Sequence, residues 1–489
     1  MYEILKENNL ELLKKGVFRV LEQLGMVCQN KEILKALEER GAKVDYEQKS
    51  AKFPERMVQE FVGEIRKENK TAWREKIKGK NQEVLYSGYV PPLESPNEFI
   101  APLLPSLFHP LATFFYDDDK KEKRPGNKAD FIRLVKLGEV LHPEQGVGHT
   151  LILSDVPSPI EPLEAALLLL EHSHNPRGVY LQDIRQADYL MEIAEIFGIK
   201  DPCWHWLANV SFASPLKLGK EIAERFVYMV KSGNYPAKAY TMAVSGVNAP
   251  VTTAGCTVLH TAEFLALWIS GRALNPGIPL TGLVLTGRMD MKSGEANYWA
   301  FDALVRRLAT CEFIGRWLGV SVSPGVAEYS PAKIPGLYAT LEKAYLGMVI
   351  AAFTGCHPSS GIGHLEAGLT LSPVQFLLDR EFAGGLKFLE PPVVNEEMIG
   401  LETILDVGFG IQKNYLETEH TLKNFRSCLW QPELFNPEGW TPESEEKILE
   451  KAKKRVNELV AQYRKPEIDP DKIGKAREVV ERAKRKLLS

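Results

Sequence analysis

The chain has 489 residues, of which 44% are hydrophobic and 25% charged, an ordinary globular composition that allows about two to four domains or one large barrel. The net charge of −4 gives no general electrostatic case for nucleic acid or an anionic membrane surface, and we predict neither as a partner. No window approaches the roughly 18 apolar residues of a membrane span, and MYEILKENNLELLKK lacks the apolar core of a signal peptide.

Residues 1–95 are predicted to form a helical N-terminal extension. Apolar residues recur at steps of three and four, the spacing of one helix face, at Leu10, Leu13, Val17, Leu21 and Leu24. Gly25 is predicted to end this helix, and a second helix is predicted over residues 31–40, before Gly41. Six prolines between positions 91 and 110 then exclude a long helix there.

Short apolar runs alternate with helical patterns over residues 96–395, which predicts an α/β fold with a parallel sheet. The predicted strands are Val147–Leu153, Gly178–Leu181, Cys203–Phe212, Lys238–Val244, Pro279–Leu285, Val320–Val326 and Ala351–Gly355. The predicted helices are Pro162–His172, Ala187–Phe197, Ser214–Lys231, Ala254–Ser270, Glu295–Leu318, Ile334–Ile350 and Ser372–Ala383.

One further strand near Glu98–Leu103 or Ala112–Tyr116 brings the units to eight. This count predicts a (β/α)8 TIM barrel as the catalytic domain, with an open doubly wound sheet as its rival. No GxGxxG follows a first strand, which disfavours dinucleotide binding. Residues 396–489 are predicted to form a helical C-terminal extension, in which Thr441-Pro442 and Asp469-Pro470 begin helices.

The active site of such a barrel lies on the loops that follow its strands. Aromatic residues recur at these positions, and we predict that several of them form a π-lined box for a cation, although each alone is equally compatible with packing. The residues concerned are Trp204, Trp206, Tyr240, Tyr298 and Tyr329, with Tyr116 and Trp299 nearby. The loop GCHPSSGIGHLEAG, after the last predicted strand, adds His357, His364 and Glu366.

The cysteine and histidine spacing predicts no protein-bound metal. Four side chains of the last loop are zinc ligands by type, namely Cys356, His357, His364 and Glu366, but their spacing matches no strong zinc signature. The six cysteines are far apart and form no CxxC pair, which predicts reduced thiols in a cytoplasmic protein. A Ser-His-Asp triad stays open as an alternative, although no GxSxG motif is present.

Several stretches, in order along nearly the whole chain, resemble the trimethylamine methyltransferase family. The resemblance is closest to members that lack pyrrolysine and demethylate quaternary amines. The stretches are Gly41-Ala-Lys-Val-Asp45, Val156-Pro157 with the Glu161–His172 helix, Ser214-Pro-Leu216, Asn248-Ala-Pro-Val-Thr-Thr-Ala-Gly255, Asp290-Met-Lys-Ser-Gly294, Gly361-Ile-Gly-His-Leu-Glu-Ala-Gly-Leu-Thr370 and His420-Thr-Leu-Lys-Asn-Phe-Arg426.

The resemblance implies a methyltransferase that moves a methyl group from a betaine-type quaternary amine to the Co(I) corrinoid of a partner protein. The cobalamin would come with that partner, so no cofactor is expected to be tightly bound. In pyrrolysine-containing relatives that residue lies near the last loop, whereas Gly355–Thr370 holds only ordinary residues here. A quaternary ammonium leaves as a neutral amine, so the lack of a special electrophilic residue favours quaternary substrates.

From this resemblance we assign roles to individual residues. His364, Glu366 and His357 are candidate catalytic residues, and Gly361 and Gly363 are candidate contacts to the corrinoid. The candidate substrate-binding residues are Trp204, His205, Trp206, Tyr240, Arg288, Tyr298 and Tyr329. Arg288 either holds a substrate carboxylate or forms an interhelix salt bridge.

Other functions stay open at this point. They are methyl transfer from a methylcorrinoid to a folate, zinc or acid–base chemistry on an unrelated small molecule, and non-catalytic betaine binding or corrinoid docking. We also expect a homo-oligomer, because the amphipathic termini present apolar faces that a second copy could cover.

Overall fold

The structure is a computed structural model that describes residues 3–78, 104–108, 111–200, 204, 210–233, 236–325, 328–354, 361–386, 388, 392–435 and 439–489. Its α-helices are α1 Glu7–Arg19, α2 Lys31–Glu39, α3 Glu55–Lys78, α4 Lys128–Leu141, α5 Glu161–His172, α6 Ala187–Phe197, α7 Lys220–Ser232, α8 Thr253–Leu274, α9 Phe301–Leu318, α10 Leu337–Thr354, α11 Pro373–Leu386, α12 Glu396–Ile399, α13 Leu401–Val407, α14 Glu419–Cys428, α15 Ser444–Ala461 and α16 Pro470–Leu487.

The strands are short. They are β1 Met26–Cys28, β2 Lys43–Asp45, β3 Ser50–Lys52, β4 Phe114–Asp117, β5 Glu122–Pro125, β6 Val210–Ser211, β7 Lys217–Leu218, β8 Ala237–Thr241, β9 Val244–Ser245, β10 Leu280–Val284, β11 Gly287–Met289, β12 Ala296–Asn297, β13 His364–Leu365 and β14 Thr370–Leu371. Within the described ranges they form four sheets, in the orders β2-β3-β1-β7, β10-β8-β6, β12-β11-β9 and β13-β14-β4-β5.

The N-terminal part is attached to the rest of the chain through helix α8 and strand β7. Both α1 and α2 pack against α8, and the predicted apolar face of α1 is buried at Leu10, Leu13 and Val17. β1 pairs antiparallel with β3 and parallel with β7. Gly25 ends the first helical segment, as predicted, with a φ of 71°, where a Cβ would lie 2.0 Å from the Ala51 carbonyl oxygen. Only glycine fits this close approach.

Parallel hydrogen bonding links the central segments in chain order. β8 pairs with β6 on one side and with β10 on the other, and β14 pairs with β4, all in parallel. Single parallel bridges also join Ala112 to Leu151, Val147 to Pro176 and Leu283 to Ser323. The predicted α/β class is therefore confirmed, while the described strands form separate sheets and do not by themselves trace a closed barrel.

Most predicted helices are found, but two of them begin later in the chain than predicted. α7 begins at Lys220 and not at Ser214, because Leu216 and β7 form backbone hydrogen bonds with the first strand instead. α9 begins at Phe301 and not at Glu295, because β12 pairs with β11.

The predicted strand Ala351–Gly355 was also wrong, since helix α10 continues to Thr354. Its residues Leu346 and Ile350 are one helical turn apart and pack with Leu304 and Leu308 of α9. A continuous apolar run does not by itself distinguish a buried strand from a buried helix. The last strands lie further along the chain, at β13 and β14, and form an antiparallel pair that we call the His364–Leu371 hairpin.

The C-terminal helices cover the outside of earlier ones. α15 packs against α4 and α11, and α16 packs against α5 and α6, with their apolar faces buried. The apolar faces of these two helices are thus covered within one chain. Apolar side chains from α12 through α14 stay exposed, among them Leu405, Phe409, Leu416 and Leu422. Among the described helices, none is long and apolar enough to span a membrane.

Candidate functional site

Three of the predicted aromatic residues come together and form what we call the tyrosine cluster, Tyr240, Tyr298 and Tyr329. Along β8, Ala239 and Thr241 are buried toward the packed helices, whereas Tyr240 lies on the other face because successive side chains alternate. Its hydroxyl oxygen lies 3.3 Å from that of Tyr329. The ring centroids of Tyr298 and Tyr329 are 6.1 Å apart.

The phenols of the tyrosine cluster are neutral at physiological pH. Burial raises the pKa of Tyr240 to about 12, and it raises the pKa of Tyr329 well above its ordinary value and that of Tyr298 above 10. These groups therefore offer the electron-rich faces of neutral rings and not phenolate charge. Such faces attract a desolvated cation.

A buried arginine next to the cluster was not predicted. Arg307 of α9 has 0% exposure, and its Nε donates to the Thr286 carbonyl oxygen at 3.1 Å. Nη2 donates to the backbone carbonyl oxygen of Tyr298, and Nη1 has no acceptor in the part of the chain that is described. Burial lowers the pKa of Arg307 to about 10, so the guanidinium stays protonated at neutral pH. Arginines in helix patterns are usually exposed, and the sequence carried no signal against that reading.

Strand β8 carries a second unpredicted basic residue. Lys238 lies two positions before Tyr240, hence on the same strand face. Burial lowers the pKa of Lys238, and the charge of Glu328 partly opposes this change. The loop containing Glu328 and Tyr329 was noted in the sequence, but Glu328 was not selected as a site residue.

His364 lies beside the tyrosine cluster. It is buried on β13, its Nδ1 lies 3.8 Å from Glu328 Oε2, and neither ring nitrogen is hydrogen-bonded to a described residue. A Cβ placed on Gly368 would lie 3.4 Å from the Tyr329 ring and 3.9 Å from His364 Nδ1. Gly368 therefore lies against both side chains and adds no side chain of its own there.

Glu366 is tied to its own strand neighbours. Its carboxylate accepts from Thr370 Oγ1 at 2.5 Å and forms an ion pair with Lys123 at 2.8 Å. Glu366 and Ala367 both have left-handed backbones, with φ of 50° and 55°. Such residues cost about 1–2 kcal/mol each, and here their N–H groups donate to Ala332 and Ser330 carbonyls. This residue shapes the hairpin, and its carboxylate has partners other than the tyrosine cluster.

Gly361 and Gly363 are buried, which corrects their assignment as contacts to a corrinoid. The N–H of Gly363 donates to Asp379 Oδ2 at 2.7 Å. A Cβ on Gly361 would lie 2.7 Å from the same oxygen and from Lys343 Cδ. Lys343 and Asp379 form an ion pair at 2.7 Å, and both side chains have 0% exposure. Gly361 therefore makes room for a buried ion pair and Gly363 donates to it, and both glycines are buried.

Trp204 and Arg288 do not join the tyrosine cluster. Trp204 is buried, and its indole N–H donates to the Leu190 carbonyl of α6 at 3.0 Å, which makes it a packing residue. Arg288 lies 3.5 Å from Asp290 and 3.4 Å from Asp302, so the salt-bridge alternative describes it. The remaining candidates, His205, Trp206 and His357, lie outside the described residues.

No group of three or more His, Cys, Asp or Glu side chains that could hold a metal ion is found within the described ranges. Cys356 and His357 lie outside them. The functional groups of the described site are thus neutral phenols, a buried guanidinium, and an imidazole that lies near a carboxylate and is hydrogen-bonded to no described residue. Such a set can hold a small charged molecule, and nothing in it resembles an activated nucleophile.

Comparison with known proteins gives a family match over almost the entire chain. The model of the family described as "Trimethylamine methyltransferase (MTTB)" matches residues 1–93 and 106–487. The trimethylamine methyltransferase MttB of Desulfitobacterium hafniense (strain DSM 10664 / DCB-2) is 22% identical over 481 residues, covering 96% of this chain and 91% of the relative.

Two further relatives carry related names. The glycine betaine methyltransferase of Desulfitobacterium hafniense (strain Y51) is 22% identical over 483 residues, covering 96% of this chain and 95% of the relative. The trimethylamine methyltransferase MttB1 of Methanosarcina acetivorans is 29% identical over 280 residues, covering 55% of this chain and 54% of the relative.

Proposed function

Since the chain belongs to the trimethylamine methyltransferase family, and is thereby a methyltransferase, we propose that it transfers a methyl group from a betaine-type quaternary amine to the Co(I) corrinoid of a partner protein. The observation that carries the choice of substrate is the tyrosine cluster, in which three neutral rings adjoin one another. The names of the full-length relatives leave both trimethylamine and glycine betaine open.

The proposed reaction requires little acid–base chemistry. The C–N bond of the ammonium breaks with its electron pair staying on nitrogen, which leaves as a neutral amine without a proton. The reduced corrinoid supplies the electron pair that forms the new bond to the methyl carbon. The protein must therefore hold the cation and present one methyl group in line with the acceptor.

The tyrosine cluster and Glu328 suit that task. Each aromatic face contributes about 0.5–2 kcal/mol to a desolvated cation, and the Glu328 carboxylate adds complementary negative charge 3.8 Å from His364. In this proposal His364 borders the substrate and Glu366 holds the hairpin in place. A tertiary amine would gain less from the site, because its leaving group needs a proton.

We also propose that the central segments close into the (β/α)8 barrel expected over residues 96–395, with extensions at 1–95 and 396–489. The parallel pairing of β6, β8 and β10, and of β4 with β14, supports this architecture. The tyrosine cluster would then lie inside the C-terminal mouth, where Tyr240 occupies the face of β8 turned away from α8.

The proposed partners are a corrinoid protein, the amine and a second copy of this chain. A second copy would cover the exposed apolar side chains from α12 through α14, since large exposed apolar patches mark interaction surfaces. The four described cysteines are free, in keeping with the proposed cytoplasmic location, and Cys28, Cys256 and Cys311 are buried.

The proposal is tested by mixing the purified chain with Co(I) cobalamin and one amine at a time, and following the visible spectrum of the corrinoid. Glycine betaine or another quaternary amine should cause methylation, while trimethylamine should not. Tyr240→Ala should slow the reaction by about 10-fold through lost cation–π binding, whereas Tyr338→Ala, at an exposed tyrosine of α10, should not.

The result would distinguish the remaining alternatives. Methylation with trimethylamine alone would contradict the proposed substrate. Binding of betaine without any methyl transfer would favour a non-catalytic betaine-binding protein. Transfer that runs only from methylcobalamin to a folate would favour the reverse-direction alternative.

A further inference from the structure

The structure contains a fully buried cation whose charge is balanced by no described side chain. Arg307 is fully buried, two of its nitrogens donate to backbone carbonyls, and Nη1 has no acceptor among the described residues. Other buried cations have carboxylate partners: Lys343 pairs with Asp379, and Arg306 pairs with Asp302. A buried charge without a counter-ion is strongly unfavourable, so such a group calls for an anionic ligand.

The unpartnered nitrogen lies beside the tyrosine cluster. The Nη2 donation to the Tyr298 carbonyl fixes the guanidinium next to a residue whose ring belongs to that cluster. A Cβ built on Gly325, where φ is +87°, would lie 3.7 Å from Nη1. Glycine at this position therefore adds no side chain of its own beside the nitrogen.

From this juxtaposition we propose that Arg307 binds the carboxylate of a zwitterionic substrate whose ammonium group lies on the tyrosine cluster. The inference rests on the proposed function and narrows its substrate class to ammonium compounds that also carry an acid group. Simple alkylammonium ions would leave Nη1 unsatisfied and bind more weakly, because a site built for a polar group rejects a ligand that lacks it.

The other basic candidates have acidic neighbours of their own. Arg288 lies within 3.5 Å of Asp290 and Asp302, which already neutralise it. Lys238 has the charge of Glu328 acting on it. Arg307 has no such carboxylate within the described residues, and a substrate anion would supply its missing counter-ion.

Binding measurements on the chain alone test the inference. Isothermal titration calorimetry would compare glycine betaine, choline and tetramethylammonium, which share methylated ammonium groups but differ in the carboxylate. The wild-type chain should bind glycine betaine about 10- to 100-fold more tightly than the other two, as a charge-assisted hydrogen bond provides. Arg307→Met should remove this preference and change tetramethylammonium affinity by less than about threefold.

Arg288→Met is the matched control and should keep the preference for glycine betaine. If the wild-type chain binds all three cations equally, the inference is overturned while the proposed function stands. If no quaternary amine binds at all, the proposed function itself fails. Equal losses for all ligands in Arg307→Met would show a purely structural arginine and would also overturn the inference.

Arg307→Met could also disrupt folding, because two backbone carbonyls lose their donors. If Arg307→Met does not fold, the affinities of the wild-type chain for the three ligands still test the inference, because that comparison needs no variant. Arg307→Lys, which keeps the charge but loses the fixed fork of donors, should retain part of the preference if it folds.

Discussion

Replacing Lys343 with methionine is expected to destabilise the protein, because it leaves the Asp379 carboxylate buried without its counter-ion. The two side chains connect α10 with α11, lie 2.7 Å apart and are fully buried. Removing one partner of a buried ion pair costs about 3–5 kcal/mol. Asp379 would keep hydrogen bonds from the Gly363 N–H at 2.7 Å and from Gln375 at 2.8 Å. We therefore expect the free energy of unfolding to fall by an amount near the lower end of that range, about 3 kcal/mol.

This loss should depend on pH. Burial raises the pKa of Asp379 above 3.8, and Lys343 acts in the opposite direction. Removing the lysine raises that pKa further. A group whose pKa is higher in the folded state stabilises the fold below its unfolded pKa, and that contribution is lost as the pH rises through the folded value. The deficit of Lys343→Met should therefore be small near pH 4 and full near pH 8.

The assay is urea unfolding followed by circular dichroism, at about pH 4.5 and pH 8. A double variant with Lys343→Met and Asp379→Leu serves as the control, because it removes both charges and should recover much of the stability. An equal deficit at both pH values, or none at pH 8, would refute the reasoning. A double variant less stable than Lys343→Met would also contradict it.

Three further predictions concern the site. Burial raises the pKa of Tyr240 to about 12, so its phenol stays neutral up to pH 9. The affinity for tetramethylammonium, measured by calorimetry, should therefore change less than about twofold between pH 7.5 and 9. Tighter binding at the higher pH would show that a phenolate forms and would contradict this prediction. Gly363→Ala places a Cβ 2.8 Å from Phe376 Cβ at a φ of 83°, and urea denaturation should show that the free energy of unfolding falls by at least about 2 kcal/mol. As a control, Gly315→Ala in the open face of α9 should raise the free energy of unfolding by up to about 1 kcal/mol. In the cobalamin assay, the rate of methyl transfer by Arg288→Met should lie within about twofold of the wild-type rate. A roughly 10-fold lower rate would indicate that Arg288 binds the substrate after all.

The sequence predicted the tyrosine cluster because its residues follow strands, and the direction of parallel strands gathers such positions at one edge. Tyr240 follows from that rule directly, since the alternation along β8 leaves it on the face opposite the helices. Trp204 satisfied the same rule and yet packs against α6. The position of a residue along a strand determines the edge of the sheet at which its side chain lies, whereas packing of the neighbouring helix determines whether that side chain is buried.

The buried charges could not be predicted in this way. Arg307, Lys343 and Asp379 occupy helix positions that usually face solvent, and only the packing of α9, α10 and α11 buries them. Similarly, Gly361 and Gly363 suggested a flexible loop. In the fold they have φ of 107° and 83°, and the space that a side chain would take is filled by the Asp379 carboxylate at Gly361 and by Phe376 and the Ser372 carbonyl at Gly363. Glycine composition does not distinguish a mobile loop from a tightly packed one.

The same arrangement explains why a methyl transfer site would need two recognition groups. A trimethylammonium ion held only by aromatic rings can rotate, because its methyl groups are equivalent and cation–π attraction has little directionality. A carboxylate fixed on Arg307 would restrict that motion to rotation about the N–CH2 bond, which only exchanges equivalent methyl groups. Restricting the orientation of a reacting group lowers the entropic part of the barrier. The buried guanidinium would then serve the rate of methyl transfer as well as the choice of substrate, and Arg307→Met should lower kcat with glycine betaine as well as raise KM.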